Sequence, residues 1–348
     1  MSSLHYLPIN GSHYEIGVQL GQFGASVVHQ KLLKSDTWMQ LRQWLGSTEL
    51  QHMKAQVQSL FPTIWQEIEG LSVGLQLSVE ETFMWNCRGD LWAMAPDGCT
   101  TVQQATPRHR RITHNEDGDP SFYGHCAIVH VTPKDDTAFV SFAYPGSIPG
   151  HTFATNAHQL VMTVNNIRSL DAKPGIPRMV LCRAILSQPS VEAAIRLLRH
   201  QARSGAFHLS LCDAHSAIHS VEFNRADVSV QTIEHLGFHA NHAIHTAQRD
   251  YPQIITGSSG YRQVQGEYLL QHARTQPNST VDALAILGSH EHDTYPIYRR
   301  TPHDPDNENT MATADFLFEG QNLRWSVYDS PSRVPLFSFI GLQRNLQI

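Results

Sequence analysis

No apolar run in this sequence reaches the roughly 18 residues that a membrane-spanning helix needs. The opening MSSLHYLPINGS has neither a basic n-region nor an apolar h-region, so no secretory signal is read and a cytoplasmic protein is expected. The terminal NLQI is no lipidation or peroxisomal signal. Basic charge is also scarce. With 25 Lys and Arg against 31 Asp and Glu the formal charge is −6, and the basic residues are scattered, so no nucleic-acid partner is expected. Cysteine is sparse, odd in number and widely spaced: Cys87, Cys99, Cys126, Cys182 and Cys212, with no CxxC. That excludes a zinc ribbon and a disulfide framework and leaves reduced thiols, one of which could be catalytic. No nucleotide-binding glycine motif and no internal repeat are found.

What is present is 348 residues, 41% hydrophobic, enough for a full core and for two domains or one large one. From about residue 12 to 95 the pattern is helical. Trp38, Leu41, Trp44 and Leu45 follow an amphipathic spacing. A further helix covers Leu50 to Leu60, and Ile64 to Leu71 continues in helix with Glu67 and Glu69 solvated. Ser78-Val-Glu-Glu81 has the capping-box form and starts a helix towards Leu91. After Pro96 the period becomes that of strands: 127–131, 138–142, 160–164, then 207–211, 218–223 and 228–233 after a helix capped by Ser190. Helical stretches at 266–273 and 281–287 precede a closing hairpin, 314–318 with 324–327. Sheets separated by helices argue an α+β fold.

Three polar segments are candidates for chemistry. Asp97-Gly98-Cys99-Thr100-Thr101 lies where the helical half gives way to the β half, and Gly98 permits a tight backbone before the thiol. A lone cysteine is more often a buried small hydrophobe. His114-Asn115-Glu116-Asp117-Gly118 reads equally as a plain loop. In His239-Ala240-Asn241-His242 the asparagine could donate to an oxyanion or cap a turn. The 22 histidines raise a metal question. His239, His242 and His245, and the cluster His290, His292 and Asp293, match no specific zinc pattern, so no metal is expected.

Taken together these segments resemble the acyl-coenzyme A:6-aminopenicillanate (isopenicillin-N) acyltransferase-like family, which belongs to the N-terminal nucleophile (Ntn) hydrolases. Gly11-Ser-His-Tyr-Glu-Ile-Gly17 with Gln19-Leu-Gly21 is similar to its first helix motif, and Glu67-Ile-Glu-Gly-Leu-Ser-Val-Gly74 to its E-I-x-G-I-A-x-G segment. Trp85-Asn86-Cys87-Arg88 resembles its L-N-A-R segment, and Asp97-Gly-Cys-Thr-Thr101 its cleavage and nucleophile site. His114-Asn-Glu-Asp117 falls at its N-x-D turn, Gly175-Ile-Pro177 with Arg183 at its G-x-P…R start, and His239-Ala-Asn-His242 at its H-x-N-H. The seven matches are collinear from about residue 11 to 245. The penicillin-forming members carry an arginine just before an A-T pair, whereas Ala312-Thr313 here follows Thr310-Met311. Glu116 also replaces an aromatic residue.

The resemblance implies a four-layer αββα Ntn sandwich, with residues 1–98 as a helical pro-segment or α-chain and 99–348 as the catalytic β-chain. It implies self-cleavage between Gly98 and Cys99, with Cys99 as nucleophile, Asp117 holding its α-ammonium group and Asn241 as oxyanion donor. Thr100 and Thr101 would position the new terminus, and Asn86 and Arg88 would support the cleavage site or merely pack. The expected activity is a cysteine amidohydrolase or N-acyltransferase acting on a small acylated amine through a thioester. The absent arginine favours hydrolysis of an amide such as a β-alanyl amine. Acyl-CoA is the possible donor if transfer wins; otherwise no cofactor is required, and the cofactor-binding residues are unassigned. The rivals are a metal-dependent hydrolase and a non-catalytic binding protein on the same scaffold.

Overall fold

The computed structural model describes residues 4–95, 98–275, 281–300 and 308–346. Pro96 and Asp97, the start of the candidate cleavage motif, lie outside the described residues. The molecule is a mixed α+β structure built on two sheets.

The N-terminal region is held by helix ends that the sequence encodes. Ser12 caps helix His13–Gln30 through a full capping box with Glu15, and Ser78 does the same for Val79–Asn86 with Glu81. The latter helix ends at Asn86, and a separate turn, Arg88–Leu91, follows it. Helices His13–Gln30 and Pro62–Leu75 cross at glycines. A Cβ on Gly70 would lie 2.0 Å from the Tyr14 carbonyl oxygen, and one on Gly17 would lie 2.0 Å from that of Glu67. The backbones touch there because neither residue has a side chain. Glu67 is not solvated. It is fully buried, accepting from His13 Nδ1 at 2.7 Å and from Arg183 Nε at 2.9 Å. Burial alone would raise its pKa, but Arg183 and His13 outweigh it and the net shift is downward.

The larger sheet runs in the order Leu4–Gly11, Cys126–Pro133, Phe139–Ala143, Phe153–Asn156, Val161–Ser169, Ala206–Cys212, Ile218–Phe223, Val228–Ile233. Its first pair is parallel, so residues 4–11, to which the sequence reading assigns no element, are tied to the β half. The second sheet runs Leu236–His239, Gly98–Ala105, His109–Gly118, Asn309–Glu319, Asn322–Tyr328, Phe337–Ile340, Gln343–Asn345. The two sheets meet through Thr101 Oγ1, which donates to Asn165 Oδ1 at 2.8 Å, and Gln103 Nε2, which donates to Ser210 Oγ at 2.7 Å. On the other face of the second sheet, Val102 and Phe238 join a separate apolar cluster with Leu270, Ala283, Ile286 and Leu287 of helices Gly257–Thr275 and Ala283–Leu287. Among the described residues no helix is long and apolar enough to cross a membrane. All five cysteines are buried and unpaired with one another.

Candidate active site

Gly98 and Cys99 are not in a loop. They open strand Gly98–Ala105, which pairs antiparallel with His109–Gly118, placing Gly98 opposite Asp117 and Cys99 opposite Glu116. Side chains alternate along a strand. Cys99, Thr101 and Gln103 therefore face the larger sheet, together with His114 and Glu116, whereas Thr100, Asn115 and Asp117 face the helices. Both segments read poorly as strands because polar residues line both faces.

The backbone around Cys99 is clamped from outside its own sheet. Its amide N–H donates to Asn241 Oδ1 at 3.0 Å, across 142 residues of sequence. Arg262 Nη1 donates to the Cys99 carbonyl oxygen and to Thr100 Oγ1, both at 2.7 Å, while Nη2 donates to Asn241 Oδ1 at 2.7 Å. Asn241 is itself fixed: its N–H donates to Ser259 Oγ at 2.9 Å and its Nδ2 to the Asn166 carbonyl at 3.2 Å. The acceptor end of the Asn241 amide thus lies on the Cys99 nitrogen, and an oxyanion would have to take the second Nδ2 hydrogen. Cys99 Sγ donates to Glu116 Oε2 at 3.6 Å.

Asp117 Oδ1 accepts from Thr310 Oγ1 at 2.6 Å, and Thr310 Oγ1 accepts from the Arg299 N–H at 2.9 Å. Arg299 Nη1 pairs with Glu308 Oε2 at 2.7 Å, and Arg168 Nη2 lies 3.6 Å from Glu308 Oε1. All of these side chains are buried. A Cβ on Gly98 would meet Glu308 Oε2 at 2.1 Å, so any larger residue before the thiol must displace the Glu308 carboxylate from its place beside Arg299.

The structure therefore gathers Gly98, Cys99, Thr100, Asp117 and Asn241. Sequence reasoning missed Arg262, Arg299 and Glu308, which stand in no motif. Arg262 could have been found only from its place in the fold. Asn115 is structural: its Nδ2 donates to the Leu287 carbonyl and its Oδ1 accepts from Thr313. Asn86 bridges the Thr82 and Gly146 carbonyls and the Ile148 N–H, and Arg88 packs on Trp85.

Among the described residues, the two histidine groups of the sequence do not form a cluster with metal-ligand spacing. His239 Nε2 bonds Glu222 Oε1 at 2.9 Å, His242 Nδ1 bonds Ser259, and His245 sits between Ser220 and Ser229. Burial pushes His242 down to about 4. His292 stacks among Tyr261 and Tyr295, and His290 packs on Tyr298. Among the described residues, the grouping with metal-ligand spacing is Cys99, His114 and Glu116, whose donor atoms lie within 4.8 Å of one another.

Two comparisons bear on this geometry. The family model described as acyl-coenzyme A:6-aminopenicillanic acid acyl-transferase matches residues 104–331, which include Asp117, Asn241 and Arg262. The beta-alanyl-dopamine/carcinine hydrolase of Drosophila melanogaster is 24% identical over 365 residues, covering 92% of each chain. The family match spans well over half of the sequence, and the chain belongs to the acyl-coenzyme A:6-aminopenicillanic acid acyltransferase family.

Proposed function

We propose that this protein is a self-processing cysteine amidohydrolase of the N-terminal nucleophile type, acting on a small acylated amine. The family and the hydrolase relative support amide hydrolysis or acyl transfer. The observation that carries the finer reading is the clamp on Cys99: Asn241 on its nitrogen, Arg262 on its carbonyl, and a glycine before it packed against the Glu308 carboxylate. In this reading the two facing sheets and their flanking helices form the four-layer αββα sandwich. Residues 1–98 remain as the α-chain after cleavage.

In the first step Cys99 Sγ attacks the Gly98 carbonyl carbon. The C–N bond breaks, the nitrogen takes the proton that the thiol sheds, and water hydrolyses the thioester. The new α-amino group has an ordinary pKa near ~8 and serves as base for its own thiol. Asn241 Oδ1 then accepts from the amine as it now accepts from the amide, and Asp117, opposite Gly98, supplies the neighbouring negative charge. In turnover the thiol takes the acyl group, the amine leaves, and water resolves the thioester. The penicillin-type arginine before the A-T pair has no counterpart in Thr310-Met311, and the buried guanidinium of Arg262 supplies positive charge at the nucleophile instead.

The test is to trap the acyl-enzyme. Matured protein quenched during turnover of a β-alanyl amide should carry the acyl mass on the peptide that begins at Cys99, and hydroxylamine should remove it. An acyl mass on another residue, or turnover by Cys99→Ala, would sink the reading. Added amine that diverts product from free acid to new amide would assign the chain to transfer instead.

A further inference from the structure

Strand Leu236–His239 pairs antiparallel with Gly98–Ala105, and the pairing stops at His239, opposite Thr101. Carried on at the same register, the strand would set Asn241 opposite Cys99, backbone against backbone. Instead the chain leaves the sheet, and the Asn241 side chain meets the Cys99 N–H with its Oδ1. The turn 240–245 that carries it has no regular structure of its own. Its N–H groups are held by side chains: Ala240 donates to Gln263, Asn241 to Ser259 and Ala243 to Gln253. The last two, Ile244 and His245, donate to Glu222 Oε1 and Oε2 at 2.7 and 3.1 Å.

Among these acceptors Glu222 is the carboxylate, and it holds the turn at both ends. Its Oε1 also bonds His239 Nε2 at 2.9 Å, just before the turn begins. Glu222 lies on strand Ile218–Phe223 of the larger sheet and is fully buried. Burial opposes its charge, but the bond from His239, with His245 and the Ile244 N–H beside it, brings its pKa below the ordinary value. His239 is fixed from other sides as well. Its ring stacks on His208 at 3.5 Å with 6° between the planes, and its carbonyl accepts from Asn165 Nδ2 at 3.1 Å. Asn165 Oδ1 in turn accepts from His208 Nδ1 at 3.0 Å and from Thr101 Oγ1 at 2.8 Å. A buried carboxylate is costly to keep. Here its donors are the residues on either side of Asn241.

We propose that Glu222 is a positioning residue of the active centre: by drawing His239, Ile244 and His245 towards the larger sheet, it takes the chain out of the ladder and sets the Asn241 side chain on the Cys99 nitrogen. The proposal rests on the reading of Cys99 as the nucleophile, since only then does that nitrogen become the amine that activates the thiol. Glu222 touches no reacting atom. It acts through Asn241, and its effect falls on rate rather than on substrate binding.

The experiment measures maturation and steady-state kinetics of full-length Glu222→Ala and Glu222→Gln beside wild type, on a chromogenic β-alanyl arylamide. Far-UV circular dichroism reports whether each chain folds. In folded, matured Glu222→Ala, kcat should fall about 10²-fold, the scale of a small misplacement at the reacting centre, with KM within about three-fold of wild type. Glu222→Gln keeps a carbonyl oxygen for part of the donor set and should recover about ten-fold of that loss. A merely structural Glu222 would lower the melting temperature of both variants and leave kcat of the folded enzyme unchanged, and that result overturns the proposal. So does a loss carried by KM, or a Glu222→Gln as slow as Glu222→Ala. If Glu222→Ala does not fold or does not mature, Glu222→Gln decides. A kcat about three- to ten-fold below wild type at unchanged KM then supports the proposal, and a wild-type kcat overturns it. Failure of the underlying reading shows separately, as full turnover by Cys99→Ala, and overturns both.

Discussion

At the scale of single residues, the site is defined by what cannot be changed. Gly98 sits against the Glu308 carboxylate, so Gly98→Ala must push apart the buried Arg299–Glu308 pair or shift the strand. Uncompensated burial of one partner of such a pair costs several kcal/mol. The variant should therefore mature at least ten-fold more slowly than wild type, read as the intact-chain fraction on a gel over time. Arg262 donates with its planar fork to the Cys99 carbonyl, Thr100 Oγ1 and Asn241 Oδ1, and with Nε to Ser258 Oγ. Lysine cannot reproduce them. Arg262→Lys should retain the fold but lose about 10²-fold in kcat, the scale of losing one preorganised donor. Unchanged turnover would mean that Arg262 only packs.

At the scale of elements, the helix crossing depends on glycine. Gly70→Ala would place a methyl 2.0 Å from the Tyr14 carbonyl and force helices His13–Gln30 and Pro62–Leu75 apart. A loss of about 2–4 kcal/mol is expected, visible as a fall of several degrees in the melting temperature. The helical half was legible because its signals are local: the spacing of Ser78 and Glu81 reads directly as the start of Val79–Asn86, whereas the matching box of Ser12 with Glu15 was not read. The site strands were not. Gly98–Ala105 and His109–Gly118 are buried on both faces and polar on both, so no two-residue alternation marks them. Their buried polar groups are satisfied by residues far away in sequence, such as Asn241, Asn165 and Thr310. Glu67 was misread as solvated for the same reason. Its partner Arg183 lies 116 residues away.

At the scale of the whole molecule, the helical half is fastened to the β half by buried charge. Asp90, on the turn Arg88–Leu91, accepts from the Arg178 N–H at 3.3 Å. Burial raises its pKa to about 6, with Arg178 opposing the shift only in part. Its unfolded value is near ~3.9. Between those values the folded state binds the extra proton, so this group's contribution is fully present below pH ~4 and is lost as pH rises through about 6, a change of about 3 kcal/mol at most. Asp90→Asn should flatten that part of the pH profile of unfolding free energy. An unaltered slope would show that another group titrates there.

The collinear motifs named Cys99, Asp117 and Asn241 as candidates, and the fold sets Asn241 on the Cys99 amide and Asp117 opposite Gly98. The guanidinium cluster around them, and the Glu116–His114 pair beside the thiol, emerge only when the strands are laid side by side.

The central claim is that Cys99 becomes a new N-terminus. Intact mass of the purified protein, beside Cys99→Ala, tests it most directly. The account predicts two chains of about 11 and about 28 kDa from 98 and 250 residues in the native protein, and one uncut chain of 39.1 kDa in the variant. A single 39.1 kDa chain in an active native protein, or cleavage that persists without the thiol, would contradict it.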